Sequence, residues 1–531
     1  MKINLRPKLH SQQSGFILPA VLSFTIAAVI IGTALLTVIM NNFFVVGNNI
    51  QSQQSFNIAE AGVNYYLWHM SHNATDYKDG QSTPASPDPT LGYGPYVHNY
   101  IDSNAVNAGT FTLWIKPAGV GSTIVTVRSI GQAKNSNITR TVQAQIGAAS
   151  FASYGLVADT EFWFGSNESA NGPIFSNVGV HMDGANSDTV GSANASYVPQ
   201  GQYGGDGNNH PGVWCNTGVT SPNCNTRDKT NWLYPQPSVD FNQVSTSLCT
   251  MKRTAFADYA STATYATQAC SVIPTTRTNA YIPQRTGTYS VTKGYLIQLN
   301  TNGTYDLYNV NSENSQATTY ATALGTLQLV ASGISLPPSG VVYAEDNVWV
   351  RTNPTFHGRV TVASGRLASS TQTTNIKIID DILYSTKNGQ DSIGLVAEGN
   401  VFVAPYAPPT SGGFTFEVDA AALSQTGSVT WPQYYGYGSN GTCTRGWTGT
   451  NQTFVFYGSV ATRTDWTWNF SQTGGGCGDM VRDTATASTY YSGIEHTQTN
   501  YDYNMLYAPP PSYPITGGYN ILSWREVLTR P

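Results

Sequence analysis

Carboxylates are the residues of this chain that come nearest to a catalytic spacing. Asp380 and Asp381 are adjacent in one β-branched run, and Asp346, Asp391 and Glu398 fall on neighbouring runs. β-Helix enzymes that cleave acidic polysaccharides carry carboxylates on such coils. Glycoside hydrolysis needs two carboxyls in one groove, roughly 5–10 Å apart. Successive side chains of a strand point to opposite faces. Asp380 and Asp381 therefore cannot serve one groove without a bend, and solvated turn carboxylates are the expected role. The eight histidines show neither HExxH nor a paired ligand spacing. DGANSD, Asp183 to Asp188, lacks the spacing and the closing Glu of a calcium loop. GxSxG and GxxxxGKS/T are absent, and GQYGGDG reads as a turn. No catalytic residue, metal or cofactor is expected, and the chain is read as a non-enzyme.

Two other residue types carry chemistry. Six cysteines occur, Cys215, Cys224, Cys249, Cys270, Cys443 and Cys477, and none forms the CxxC pair of a structural zinc site. Loop closure favours the near-neighbour bonds 215–224, 249–270 and 443–477, which persist only in an oxidising compartment. Aromatic residues gather after about Pro432, and Trp466, Trp468 and Phe470 alternate on one strand face. Core filling is the expected role for most of these rings, with exposed rings that stack on sugars or dock proteins as the alternative.

The elements that position these groups begin with an uncharged apolar run of about 25 residues, Phe16 to Met40, long enough to cross a hydrocarbon layer of roughly 30 Å. Lys2, Arg6 and Lys8 precede it and no basic cluster follows, which puts the N-terminus in the cytoplasm and the rest of the chain outside. Phe56, Ala59, Val63, Leu67 and Met70 then recur at helical spacing, so the helix continues as an amphipathic rod.

A basic leader, Gly15, Phe16 and a retained apolar helix resemble the class III leader of type IV prepilins. The resemblance implies cleavage after Gly15 by a membrane prepilin peptidase and N-methylation of Phe16. Major pilins usually carry Glu fifth in the mature chain, where it pairs with a neighbour's terminal amine; here that position is Ala20. Minor pilins of the PilX and GspK types include members without the acid. Pro19 is tolerable in the first helical turn, where its missing N–H has no partner. FNIAEAGVNYYL, with Ala59, Glu60, Ala61 and Gly62, resembles the AEAG segment of PilX-type pilins. A plain membrane anchor is the alternative.

Residues from about Ser71 to Asn107, dense in Pro, Gly and Asp, read as a loop. From Gly109 to Gly147, Phe111, Leu113 and Ile115 alternate with polar neighbours, as do Val142, Ala144 and Ile146, in three runs of an antiparallel sheet with one buried face. Helix plus meander resembles the pilin fold. Further on, GVVYAEDNVWV, GRVTVAS, NIKIIDDILY and GLVAEGNVFV start at Gly340, Gly358, Asn375 and Gly394. Spacing of this kind without a strict repeat suggests stacked coils, with a two-sheet sandwich as the alternative.

The expected fold class is thus an α+β pilin-like module followed by a mainly-β region, read as a parallel β-helix or solenoid. Its expected segments are a leader at 1–15, a transmembrane helix at 16–46, a pilin-like module at 47–147, a β-rich passenger at 148–432 and an aromatic-rich β/extended segment at 433–531. Charged residues make up only 10% of the chain, net charge is −5, and Gly 51, Tyr 32 and Trp 11 mark β structure with many turns. Without a basic stripe, nucleic acid is excluded as a partner. The resemblance implies a minor pilin at or near a filament tip, acting in assembly or adhesion. Its partners would be the membrane, the prepilin peptidase, other pilins and a host-cell or glycan surface. Its location would be the cytoplasmic membrane as precursor, then the cell surface. A permanently anchored adhesin and a β-helix polysaccharide-degrading enzyme are the alternative functions.

Overall fold

In the computed structural model, the described residues are 17–72, 76–81, 87–118, 124–166, 168–217, 224–225, 227–257, 269–272, 274–314, 317, 319–368, 372–408, 413–431, 446–447, 451–464, 466–473, 481–482, 489–494 and 496–528. The chain divides into two compact units. One holds Met1–Lys116, Thr126–Ala144 and Ser523–Pro531; the other holds Pro117–Val125 and Gln145–Leu522.

The first unit is organised by one continuous helix, α1 (Ile17–His72). Its apolar first half, including Ala20, is exposed. One helix is therefore long and apolar enough to cross a membrane, and its most apolar window has no buried residue. From Ser55 onward the helix gains a buried stripe, Ser55, Ile58, Ala59, Gly62, Val63, Tyr66 and Met70. That stripe lies on an antiparallel sheet of β1 (Tyr93–Ile101), β2 (Asn107–Lys116), β3 (Val125–Ala133) and β4 (Thr139–Ser150), paired in chain order. Phe111, Leu113, Ile115, Val142, Ala144 and Ile146 all point into the core, as their alternation requires.

Two expectations need correction. β1 lies inside the stretch read as loop, because its Tyr/Val/Ile run sits beside the Gly and Pro that dominated the reading. The fifth strand of this sheet is the C-terminal Ile515–Val527, which pairs β4, so the end of the β/extended segment joins this sheet instead of standing apart from it. Such long-range pairing leaves no local signal.

The second unit is a large β-rich body with many parallel pairings. Ten strands form the main path of its largest sheet. In spatial order they are Trp232–Leu233, Val190–Ser192, Ile174–Ser176, Leu156–Ala158, Gln452–Thr462, Phe414–Ser424, Ser392–Ala397, Arg359–Ser364, Val341–Ala344 and Tyr281–Ile282, every adjacent pair parallel. In the later part of the chain the strands alternate with those of an eight-stranded sheet: Asn347–Asn353, Ile376–Ile378, Val401–Val403, Val429–Thr430 and Trp466–Thr467 pair in parallel there. Phe162–Phe164, Val180–Met182 and Val213–Trp214 form a three-stranded parallel sheet in the earlier part.

Register makes the core. Val342, Val362, Leu395, Ala422, Val460, Leu156, Ile174, Val190 and Trp232 pair one to the next. Strands enclosed on both faces read as continuous apolar runs, and all four residues of Val341–Ala344 and all six of Ser392–Ala397 are buried. The turns between the two sheets share a polar ladder. Asn347 Oδ1 accepts from Asn375 N at 3.0 Å, Asn375 Oδ1 from Asn400 N at 2.8 Å, and Asn400 Oδ1 from Ser428 N at 2.8 Å.

Candidate functional site

The AEAG stretch is where the helix touches the sheet most closely. A Cβ at Gly62 would lie 2.2 Å from Ser129 Oγ and 2.9 Å from Phe111 Cδ2. Ala59 is fully buried, and a Cβ at Gly131 of β3 would lie 2.4 Å from its backbone nitrogen. Ala59 and Gly62 are thus small because strands approach, while Glu60 and Ala61 sit at the border of the contact and are half-buried. Ser55 secures the same face: its Oγ donates to Ile138 O at 2.7 Å and accepts from Ala133 N at 3.0 Å. Gly15 and Phe16, the expected processing site, lie outside the described residues.

The candidate carboxylates are dispersed among structural partners. Asp380 faces the Arg351 guanidinium at 3.6 Å, whereas Asp381 Oδ1 accepts from Glu417 N at 2.9 Å. Burial, with Asp380 and Glu417 nearby, pushes the Asp381 carboxyl up to about 6. Asp346 accepts from Arg285 N and Asn347 N, and burial raises it to about 6. Asp391 is closed by Gly358 N, Thr386 N and His357. Glu398 accepts from Arg366 N at 2.6 Å, and burial raises it. These groups hold turns through backbone N–H donors and are buried or half-buried, with Asp380 the most open, so the expectation of solvated carboxylates needs correction. The missed signal is their position at the ends of strands, where unpaired amides need acceptors. The fully buried Glu345, next to Asp346, is paired with Lys252 of α2 (Gln243–Ala257).

Two of the expected disulfides are present, Cys215–Cys224 and Cys249–Cys270, with Cα separations of 5.7 and 5.5 Å. Cys443 and Cys477 lie outside the described residues. Of the rings weighed as surface groups, the two tryptophans take the core role. Trp466 and Trp468 are 6% and 3% exposed, and Trp468 packs 4.8 Å from Phe454 and 5.5 Å from Phe456. They fill the core because their strand face turns inward. Phe470 belongs to strand Asn469–Thr473, and its side chain lies outside the described residues.

An aromatic cleft not anticipated from the sequence lies where the sheets end. Val213–Trp214 ends the three-stranded sheet and Trp232–Leu233 ends the main path of the largest one. Residues from both, with Asp206, His210, Lys229 and Tyr234, line a cavity of about 410 Å³ beside the Cys215–Cys224 bond. Trp214 is fixed between His181 and His210, with ring centroids 3.8 and 3.6 Å away, and its Nε1 donates to Tyr197 Oη at 3.0 Å. Trp163 extends the stack on the far side of His181 at 5.3 Å. The Asp206 carboxylate accepts from His210 Nε2 and Asn208, which hold it below the usual carboxylate range. VWC and NWLYP flank one short Cys–Cys segment, but that proximity does not show which strands end beside a cavity. Among the described residues, no group of three or more His, Cys, Asp or Glu side chains is arranged to hold a metal.

No protein-family model matches the chain, and no curated protein does. Among solved structures, the competence-associated pilin ComZ from Thermus thermophilus aligns over 91% of this chain and 98% of that chain, with 10% identity and a TM-score of 0.30. A likeness at that level carries no argument about this chain.

Proposed function

We propose that this chain is a minor pilin of a type IV pilus, PilX-like, that carries a β-rich region on its pilin module. One observation carries the reading: a single helix with an uncovered apolar half and a second half packed on an antiparallel sheet. An apolar half with no cover among the described residues needs lipid or other helices around it. Both are supplied in sequence by a membrane-held precursor and a filament core. The leader is cut between Gly15 and Phe16 by a prepilin peptidase, and Phe16 is methylated. The two disulfides fit export to an oxidising space.

Ala20 favours a place at or near the tip, since it offers no carboxylate to the terminal amine of a neighbouring subunit. The second unit favours it too, because a body of that size would crowd a tightly packed shaft. Within that unit we read the parallel strands as coils of a β-helix, a reading supported by parallel pairing and by the asparagine ladder. Its role is adhesion or assembly, not catalysis, since the buried carboxylates are engaged in holding turns.

The test is mass spectrometry of sheared filaments. The expected mature N-terminus is methylated Phe16, in low copy against the main subunit, and changing Gly15 to a bulky residue should leave the precursor uncut. A surface protein that still starts at Met1 would make the chain a permanently anchored adhesin. Near-equal copy along the shaft would remove the minor-pilin assignment.

A further inference from the structure

The cleft at the free end of the parallel strands has a specific chemistry. We propose that it binds a negatively charged sugar of a surface glycan, with the sugar carboxylate on Lys229 and the ring against the Trp232 and Tyr234 walls. The proposal gives a ligand class to the adhesion reading above and rests on that reading for its biological setting.

Three observations lead there. The first is size and form: about 410 Å³ accommodates one or two sugar residues, and the site is concave between two end strands. The second is rigidity. The stack of Trp163, His181, Trp214 and His210 and the Cys215–Cys224 bond hold one wall fixed, so little side-chain freedom remains to be lost on binding.

The third is charge. The Asp206 carboxylate stays half-exposed but is engaged by His210 and Asn208. Arg227 spends its guanidinium on the carbonyls of Met182 and Asp183. Lys229 lies 5.3 Å from the Trp232 ring centre and 3.7 Å from the Cys224 sulfur, and among the described residues no carboxylate pairs with it. A cation without an acid partner, beside two rings that carry apolar surface, suits a ring that is apolar on one face and bears a carboxylate. A neutral sugar would leave the ammonium without its charged partner.

Calorimetry on the full-length protein in detergent tests this. The probes are a trisaccharide ending in N-acetylneuraminic acid, a disaccharide ending in glucuronic acid, lactose and sodium acetate. At least one acidic sugar should bind roughly tenfold or more tighter than lactose, the size expected for one hydrogen bond to a charged group. Lys229→Met should abolish that preference, Lys229→Arg should keep it, and Trp232→Ala should weaken all sugars. Peptide mapping of the Cys215–Cys224 bond confirms folding, and if Trp232→Ala misfolds, the two Lys229 variants carry the test. Lactose binding as tightly, acetate competing as well as the sugars, no sugar binding, or an unchanged Lys229→Met protein would each overturn the proposal. Filament content of Lys229→Met separates the two readings. If the variant is still incorporated while sugars do not bind, only the cleft fails; if even the unaltered chain is missing from filaments, the pilus reading fails and the calorimetry still decides the cleft.

Discussion

Replacing Gly131 by alanine should loosen the helix from its sheet. A Cβ there would stand 2.1 Å from Ser55 O and 2.4 Å from Ala59 N, both backbone atoms of α1. No side-chain rotation relieves such contacts, so helix or strand must shift. Gly131 has no left-handed φ, so alanine would gain about 0.4–1 kcal/mol by restricting the unfolded chain if space allowed. Overpacking costs about 1–3 kcal/mol or somewhat more, and backbone contact places this site at the upper end. The net is a loss of about 2 kcal/mol, or roughly thirtyfold in local exchange protection. Gly62→Ala is the internal control. Its closest contact is the Ser129 hydroxyl, which has no hydrogen-bond partner among the described residues, and helix propensity returns about 1 kcal/mol. It should cost less than Gly131→Ala, and Ser129→Ala should rescue it. Amide hydrogen exchange over residues 55–70 of the detergent-solubilised chain reads all three. Protection at or above the unaltered level in Gly131→Ala would refute the account of the helix–sheet contact.

Peptide mapping without reduction should return the links 215–224 and 249–270, and replacing either pair by serine should cost the second unit about 2–4 kcal/mol; free thiols at these positions would contradict the fold. Trp468→Ala should destabilise by about 3–5 kcal/mol through the cavity between Phe454 and Phe456, and sugar affinity measured on the folded fraction should not change. Burial raises Glu345, Asp346, Asp381 and Asp419 to about 6 and Glu168 to about 7. Their protonated forms are favoured in the folded state, so the native chain binds more protons than the unfolded one between about pH 4 and 7 and loses stability as pH rises through that window. The unfolding midpoint of the second unit should therefore climb as pH falls from 7 to 5, and a flat or falling midpoint would show that these carboxyls are not held as described.

What the sequence made legible follows from locality. The apolar helix and the alternation of Phe111, Leu113 and Ile115 are patterns carried by neighbours in the chain, and both appear in the structure. The four passenger runs also form strands, but their near-regular spacing mixed strands of two different sheets: Arg359–Ser364 belongs to one and Ile376–Ile378 to the other. The repeat that matters is longer, with its members 28, 25 and 28 positions apart. Asn347-Val348-Trp349-Val350, Asn375-Ile376-Lys377-Ile378 and Asn400-Val401-Phe402-Val403 each set an asparagine before alternating residues, and Ser428 replaces the amide in the next member. Irregular turns between them hide the period. The aromatic cleft was illegible for another reason. Trp214 and Trp232 are ordinary aromatic residues in sequence, and only their place on end strands leaves their edges uncovered.

The order of strands in space explains why such an end exists. The first strand of the main path in chain order, Leu156–Ala158, lies in its middle, beside Gln452–Thr462. From there the chain adds Ile174–Ser176, Val190–Ser192 and Trp232–Leu233 outward. It then crosses through α2 and the Cys249–Cys270 bond to the opposite end at Tyr281–Ile282 and builds back toward the centre. The joint is made by residues remote in sequence; Thr160 and Thr464, hydrogen-bonded there, are 304 positions apart. Such non-local pairing is slow to form. It also means that both ends of the path are internal chain, with no terminus to accommodate. At that end Trp232 is only half-buried, and Tyr234 and Lys229 are exposed.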